Sequence, residues 1–410
     1  MYAKYSTSGL YSPYTSTVNG TDYQQPGVDE RRRHSSPVRN EEVRSLRGRS
    51  EATRSWRLQE EIINESRTNL VGTKKRLCED PKDIAQRCGW NDDSGVERDL
   101  SSTHRGILGN GKYGVVEEVK LQNQGSHELN TMVRKRFDIR AERRRILLVQ
   151  NEIKVLKRLS HPHIVRLIGT YEENQDKYSH KMYILMSPVG DNDLRAFLHN
   201  AAPYICKGIN PEFSKYCLYL KTWFRCLASA LVYLHKHLIQ HEDIKPNNII
   251  YKEADIFFTD FGSSRELLLD EATSTESPAL ATRLFAAPEA MPDHNSALTR
   301  HGFQTDVFSL GLVFVEMLWI LSGGEVPLRQ HLEEQTKATI LQYHHVLSEI
   351  DSLLSKGECV QMYSQCVKPM LAITRQDRPS AEAVLQDISK AKCWRTLACP
   401  CQDEGDMPEH

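Results

Sequence analysis

Between Gln240 and Ile250 the chain reads QHEDIKPNNII, setting His241, Glu242, Asp243, Lys245, Asn247 and Asn248 between two apolar runs. Ionisable groups crowded where the flanks read as buried need partners or a task, because an unpaired buried charge is costly. Pro246 disfavours helix at Lys245, and Ile249-Ile250 starts an apolar strand pattern that IFFTD (256–260) takes up again. The stretch is therefore predicted as a loop running into a hairpin, which brings Asp243, Asn248 and Asp260 to one end. Oxygen ligands of this kind suit Mg2+, which takes few protein ligands and leaves the rest to phosphate and water. Asp243 would then orient an attacking hydroxyl or accept its proton, and Lys245 would steady a transferred phosphoryl group. A turn rich in Asp and Asn for backbone reasons explains Asn247 and Asn248. It does not explain Asp260, twelve positions beyond Asn248.

A second candidate for phosphate chemistry is GNGKYGVV (109–116), with glycines at 109, 111 and 114. The spacing alone is shared with dinucleotide-binding turns, but those run straight into a helix whose N-terminus meets the pyrophosphate. Here VVEEVKL alternates at period two, so the chain continues as a strand. A strand, a glycine loop and a second strand let backbone amides cover phosphates from above.

Lys135, in MVRKRF, lies beside apolar positions of a short strand. Leu148, Glu152, Val155, Leu156 and Leu159 share one face of a predicted helix, so Glu152 falls within an apolar stripe. An acid there needs a partner, and Lys135 is the natural one. Two readings stay open: a pair that fixes the lysine against nucleotide phosphates, or a purely structural ion pair. Arg134, the neighbour of Lys135, should point to the opposite face and into solvent.

These groups need a scaffold. Segments near Val115–Leu121, Met132–Phe137 and Met182–Met186 read as strands. Helical stripes follow at Ile146–Leu159, Tyr216–His235, Asp306–Leu321, Lys337–Leu354 and Ala381–Ser389. Strands first and helices after predict an α+β fold of two lobes. One holds a small antiparallel sheet and one helix (about 101–186); the other is larger and mainly helical (about 190–390).

The first 100 residues differ. From Arg31 to Arg57 nine arginines face three glutamates, a local net of +6 in a chain whose overall net charge is −1. Such composition seldom buries enough apolar surface to offset chain entropy, so 1–100 is expected to be disordered. RRRHSSPVR (31–39) and TKKR (73–76) read either as signals for an import receptor or acidic partner, or as a solvated basic tail, the reading we prefer. The ten cysteines form no paired C-x-x-C sets, and the closest pair, Cys399 and Cys401, sits in a polar tail (391–410). They are read as reduced thiols of an intracellular protein, cytoplasmic or nuclear. The apolar run 307–321 is short and interrupted for a membrane span and reads as a buried helix. Neither a membrane nor a specific nucleic acid is expected as a partner.

From His104 to Ser389 the chain resembles the eukaryotic protein kinases. The resemblance rests on GNGKYGVV, Lys135 of MVRK, Glu152, HEDIKPNN (241–248), DFG (260–262), APE (287–289), DVFSLG (306–311) and RP (378–379), all in the family's order. It implies ATP and Mg2+ as cofactors and protein serine or threonine hydroxyls as acceptors. Gly109, Asn110, Gly111 and Gly114 would cover the phosphates, with Val116 against adenine. Lys135, paired to Glu152, would hold the α- and β-phosphates. Asp243 would be the catalytic base, Lys245 the γ-phosphate contact, and Asn248 and Asp260 the Mg2+ ligands. Met186 would be the gatekeeper, Ser187 to Val189 would offer backbone to adenine, and Asp193 would meet the ribose. Glu289 and Arg378 resemble a buried structural pair, and Asp306 an anchor beneath the catalytic loop. Lys245 and Thr282 match the serine/threonine class, while Asn247 gives no basis for a basic target sequence.

Glu242 departs from the pattern by replacing an arginine that normally pairs with a phosphate on the activation segment (the non-RD type). The expectation is activity that does not require phosphorylation of Thr273, Ser274, Thr275 or Ser277. The alternative is a pseudokinase, a nucleotide-binding or scaffolding module on the same fold.

Overall fold

The alternation in GVVEEVKL and TMVRKRF builds the middle of a five-stranded antiparallel sheet. Its strands are β1 (His104–Gly111), β2 (Gly114–Gln122), β3 (Leu129–Asp138), β4 (Arg166–Asp176) and β5 (Ser179–Ser187), in the order β1-β2-β3-β5-β4. The computed structural model describes residues 104–111, 114–122, 129–138, 143–176, 179–207, 211–266, 283–291, 302–357, 359–391, 399 and 401. The Arg-rich region and Thr273, Ser274, Thr275, Ser277 and Thr282 lie outside the described residues.

Lys135 of β3 sits opposite Val116 of β2 and Ile184 of β5. With the two-residue repeat of a strand, Val133, Lys135 and Phe137 share one face. Val133 and Phe137 join the core there together with α1 (Arg143–Leu156), which buries Val149, Glu152, Ile153, Val155 and Leu156. On the opposite face Arg134 is 5% exposed, not in solvent as expected. Its guanidinium donates to Glu117 at 2.7 and 3.0 Å, and Tyr171 and Tyr183 enclose it. Glu117, its cross-strand partner, is itself fully buried and also holds Arg136 at 2.9 Å. The far face of this sheet thus holds a buried, charge-paired cluster around Glu117 and Arg134.

The segment after β5 enters β6 (Asn192–Asp193), which pairs with the hairpin β8 (Ile249–Lys252) and β9 (Asp255–Phe258). A second small pair joins β7 (Ile239–Gln240) to β10 (Arg265–Glu266). Helices α2 (Leu194–Lys207), α3 (Pro211–Lys236), α4 (Phe303–Leu321), α5 (Leu328–Thr336), α6 (Leu347–Leu354) and α7 (Ala381–Lys390) make the larger part. The expected helix over 337–354 forms only from Leu347: Lys337 ends α5 in a left-handed conformation (φ 56°), and a short 3-10 turn at Tyr343–Val346 precedes α6.

Among the described residues only α4 is long and apolar enough to cross a membrane, and 78% of its apolar window is buried inside the protein. It is the centre of the helical core, where each buried large side chain contributes roughly 1.5–3 kcal/mol. Trp223 of α3 donates to the Ala254 carbonyl at 2.6 Å and pins the tip of the β8–β9 hairpin. Phe258 of β9 exchanges backbone bonds with His163 and Val165, in the stretch between α1 and β4. The hairpin is therefore fixed from both sides. Cys399 and Cys401, expected in a polar tail, are 8% and 4% exposed and belong to the core.

Candidate active site

The hairpin does what its sequence pattern promised. Ile249 faces Phe258, and Thr259 N–H donates to the Asn248 carbonyl at 3.0 Å, so Asn248 and Asp260 leave the same end. Asp260 takes a left-handed conformation (φ 62°), which Asp tolerates better than most residues. The turn aims its carboxylate at Lys135 Nζ, 2.8 Å away, while 41% of the side chain stays exposed.

Lys135 Nζ also donates to both Glu152 oxygens, at 2.7 and 2.9 Å. Burial alone would lower the Lys135 pKa, but the Glu152 and Asp260 carboxylates outweigh it and raise it, so the ammonium stays charged. The Lys135 charge in turn holds Asp260 below the usual carboxylate range. Of the two readings left open for Lys135 and Glu152, the structure makes the pair and adds a third member that opens to the cleft.

The catalytic-loop residues are set by Asp306 from below. Glu242 sits at φ 64°, which turns two successive N–H groups inward. Asp306 accepts both, from His241 at 2.8 Å and Glu242 at 3.0 Å, and lies 3.2 Å from His235 Nε2. Buried N–H groups need such partners, and a carboxylate supplies charge-assisted ones. Above this anchor, Lys245 Nζ donates to Asp243 Oδ2 at 2.7 Å. Asn248 Nδ2 donates to the Asp243 carbonyl and to Oδ2, both at 2.9 Å. Because Nδ2 serves Asp243, the oxygen end of the Asn248 amide is left for a cation. The Lys245 charge also acts on Asp260, which ties the two clusters into one site.

That oxygen set fits a hard cation such as Mg2+: Asn248, Asp260 and the nearby Asp243, with two lysines for phosphates. The glycine loop divides into two kinds of position. A Cβ on Gly114 would meet the Arg136 carbonyl at 2.4 Å, so this glycine is demanded by sheet packing. A Cβ on Gly109 would meet nothing within 4 Å, so close packing does not require this one. Asn110 and Gly111 complete β1 opposite Val115 and Gly114. Val116 packs at the edge of the core, and Met186 is 5% exposed on β5 beside Val133 and Leu167. Pro188 has no N–H, so the backbone donor beside it is that of Val189. Asp193 is already engaged: Oδ1 caps α2 at Ala196 N, 2.7 Å away, and Oδ2 accepts from Asn247 at 3.0 Å.

Sequence reasoning missed the ties between α1 and the segment after Gly262. Asn151 donates to the Ser264 carbonyl at 2.5 Å, and Lys154 and Arg158 both pair with Glu266. They hold Glu152 toward Lys135. Arg265, 3.3 Å from Glu242, was missed as well. So was a cleft of about 550 Å³ beside Asn247, lined among others by Arg195, Arg329 and Glu316. Burial pushes the Glu316 carboxyl up to about 7, and Tyr343 donates to it at 2.6 Å.

Comparison with known proteins agrees with this geometry. Residues 102–388 match the family model described as the protein kinase domain. The chain is 32% identical over 188 residues to mitogen-activated protein kinase kinase kinase ANP1 of Arabidopsis thaliana, covering 45% of this chain and 24% of that protein. It is 28% identical over 255 residues to serine/threonine-protein kinase 33 of Mus musculus, covering 60% of this chain and 46% of that protein. Cyclin-dependent kinase-like 4 of Mus musculus is 30% identical over 214 residues, 52% of this chain and 54% of that protein. The chain thus spans between a quarter and about half the length of these relatives. A lysine, two aspartates and an asparagine brought together by a five-stranded sheet and a hairpin, with a family match across that whole region, place the chain in the protein kinase family.

Proposed function

We propose that the chain is an active ATP-dependent serine/threonine protein kinase and does not need a phosphate on its activation segment. The observation that carries this reading is the single cluster of Lys135, Glu152, Asp260, Asp243, Lys245 and Asn248, with every charged member partnered. When bound, Mg2+-ATP supplies the phosphoryl group that is transferred. Asn248 and Asp260 are the residues that would hold the cation, and Lys135 would neutralise the phosphates behind it. Gly109, Asn110 and Gly111 would cover them, with Val116, Met186 and Val189 around the base and Asp193 at the ribose.

Asp243 would take the proton of the acceptor hydroxyl. Lys245, on the same carboxylate, holds Asp243 in place and would meet charge that develops on the transferred group. The acceptor would be a protein serine or threonine, consistent with Lys245 two positions after Asp243. The cleft beside Asn247 is the natural surface for the rest of the substrate chain.

Independence from an activating phosphate rests on Glu242. Glu242 offers an activating phosphate no cation where the family carries arginine, and Arg265 already lies against it. The ties from α1 to Ser264 and Glu266 supply ordering by other means. The Arg-rich segment from 31 to 57 we read as a solvated tail, open to an acidic partner or import receptor, in an intracellular protein.

Phosphotransfer from Mg2+-ATP to a generic serine/threonine substrate tests the reading. Wild type should transfer phosphate, and Asp243→Asn and Lys135→Met should each lose roughly 10²–10⁴-fold, the usual contribution of a positioned base or charge. Equal, near-zero transfer by all three would overturn it. The pseudokinase reading, which Glu242 favours, would then stand.

A further inference from the structure

Three of the cysteines left without a task by the kinase site converge on one histidine. His163 follows α1, Cys226 lies on α3, and Cys399 and Cys401 come from the C-terminal segment. His163 Nε2 is 2.8 Å from Cys399 Sγ, Cys226 Sγ is 3.4 Å from Cys399 Sγ, and Cys399 Sγ is 3.0 Å from Cys401 Sγ. All four ligand atoms lie within 4.8 Å of one another. The residues are 1%, 2%, 8% and 4% exposed, respectively. We propose that His163, Cys226, Cys399 and Cys401 form a structural zinc site that bolts the C-terminal segment and α3 to the stretch leading out of α1.

Four features argue for a metal over a cluster of thiols. The first is the donor set: three thiolates and one imidazole form a closed set of four, the composition of structural zinc sites with no position for water. Soft sulfur donors also disfavour Mg2+ and Ca2+.

The second is the imidazole itself. His163 Nδ1 is 2.9 Å from the Ile256 carbonyl, an acceptor only, so Nδ1 must carry the proton. Nε2 is then the lone-pair nitrogen, and it is the one aimed at the sulfurs. A backbone carbonyl behind the ring is the usual support that fixes a metal-binding histidine in tautomer and orientation.

The third is size. With Zn–S near 2.3 Å and Zn–N near 2.0 Å, a tetrahedron has edges of about 3.8 Å between sulfurs and about 3.5 Å from sulfur to nitrogen. The separations of Cys399 Sγ from His163, Cys226 and Cys401 fall inside these values by about 0.4 to 0.8 Å, and no pair of donors is more than 4.8 Å apart, so small shifts of the side chains make room for the ion. These separations also exceed the roughly 2.05 Å of a disulfide bond.

The fourth is the scaffold. His163 is fixed by its backbone bond to Phe258, and Cys226 stands next to Arg225, which donates to Ser389 Oγ at the end of α7. The end of α7 is thereby held against α3, the helix that carries Cys226. The site would join parts of the chain 63 to 238 residues apart that share no secondary structure, counted from His163 to Cys226 and to Cys401. It lies behind the hairpin that carries Asn248 and Asp260, since Ile256 belongs to that hairpin.

The test uses the full chain carrying no histidine tag, purified from zinc-supplemented cells without chelator. Elemental analysis should find about one zinc per chain. Exchange with Co2+ under reducing conditions should give the visible bands of a tetrahedral thiolate-rich site in the wild-type protein. Cys399→Ser and Cys401→Ser should each bring zinc from about one equivalent to near none, whereas Cys359→Ser, a buried cysteine outside the set, should keep it. Should the serine variants fail to fold, the wild-type metal content and cobalt spectrum still decide. Absence of both metals from folded wild type, a different metal at one equivalent, or a Cys226–Cys399 or Cys399–Cys401 disulfide in peptide maps would each overturn the proposal.

Discussion

The carboxyl of Glu242 should make the protein less stable as pH rises toward 8, and Glu242→Gln should remove that contribution. The side chain is 2% exposed, one arginine lies 3.3 Å away, and the Asp306 carboxylate is close enough to act on it. Burial, opposed by Arg265 and reinforced by Asp306, pushes its pKa from 4.5 up to about 7. Between these two values the folded state binds a proton that the unfolded chain has released, so stability falls as pH rises through the window. The full difference is ~3 kcal/mol, reached above pH 7 and absent below pH 4.5, at about 1.4 kcal/mol for each pH unit between the two values.

Gln keeps the shape and carries no charge to lose. Urea unfolding of wild type and Glu242→Gln at pH 5, 6, 7 and 8 measures the difference directly. The variant should gain ~2–3 kcal/mol on wild type between pH 5 and pH 8, a relative midpoint shift on the order of 1 M urea. A difference that stays within about 0.5 kcal/mol across the series would refute the reasoning. Glu242 would then be ionised throughout, with Arg265 compensating its burial in full.

Alanine at Thr273, Ser274, Thr275 and Ser277 together should leave phosphotransfer within about twofold of wild type, since a factor of two is under 0.5 kcal/mol. A collapse would show that Glu242 does not relieve the need for a phosphate. Glu117→Ala should cost ~3–5 kcal/mol in urea unfolding by leaving the Arg134 guanidinium buried without its carboxylate. Pairing Glu117→Leu with Arg134→Met should recover most of that loss. Arg378→Ala removes a bidentate contact with Glu289 at 2.6 and 2.9 Å and bonds to the carbonyls of Ala372, Ile373 and Gln304. It should cost a similar ~3–5 kcal/mol, and Arg378→Lys should rescue little, because an ammonium cannot reproduce the planar fork.

Much of the site was readable because its logic is local. Strand alternation places Lys135 on the face shared with Val133 and Phe137, and the position of Glu152 in an apolar stripe demands a cation. Pro246 and the two apolar runs after it give a hairpin, and a hairpin returns Asp260 to Asn248. Period, turn chemistry and the cost of a lone buried charge suffice for these. They do not say what lies across from a side chain. Alternation put Arg134 on the face away from Lys135, but did not say that Glu117 would stand opposite or that the pair would be closed to water. Glu242 was recognised as odd from the motif, yet its burial against Arg265 depends on β7 pairing with β10. His163 and Cys399 are 236 residues apart and meet only in the folded chain. A sequence encodes which faces must be buried, because each residue carries its own hydration cost. Which charged or sulfur groups then meet is decided by register and packing, quantities that exist only once the chain has closed on itself.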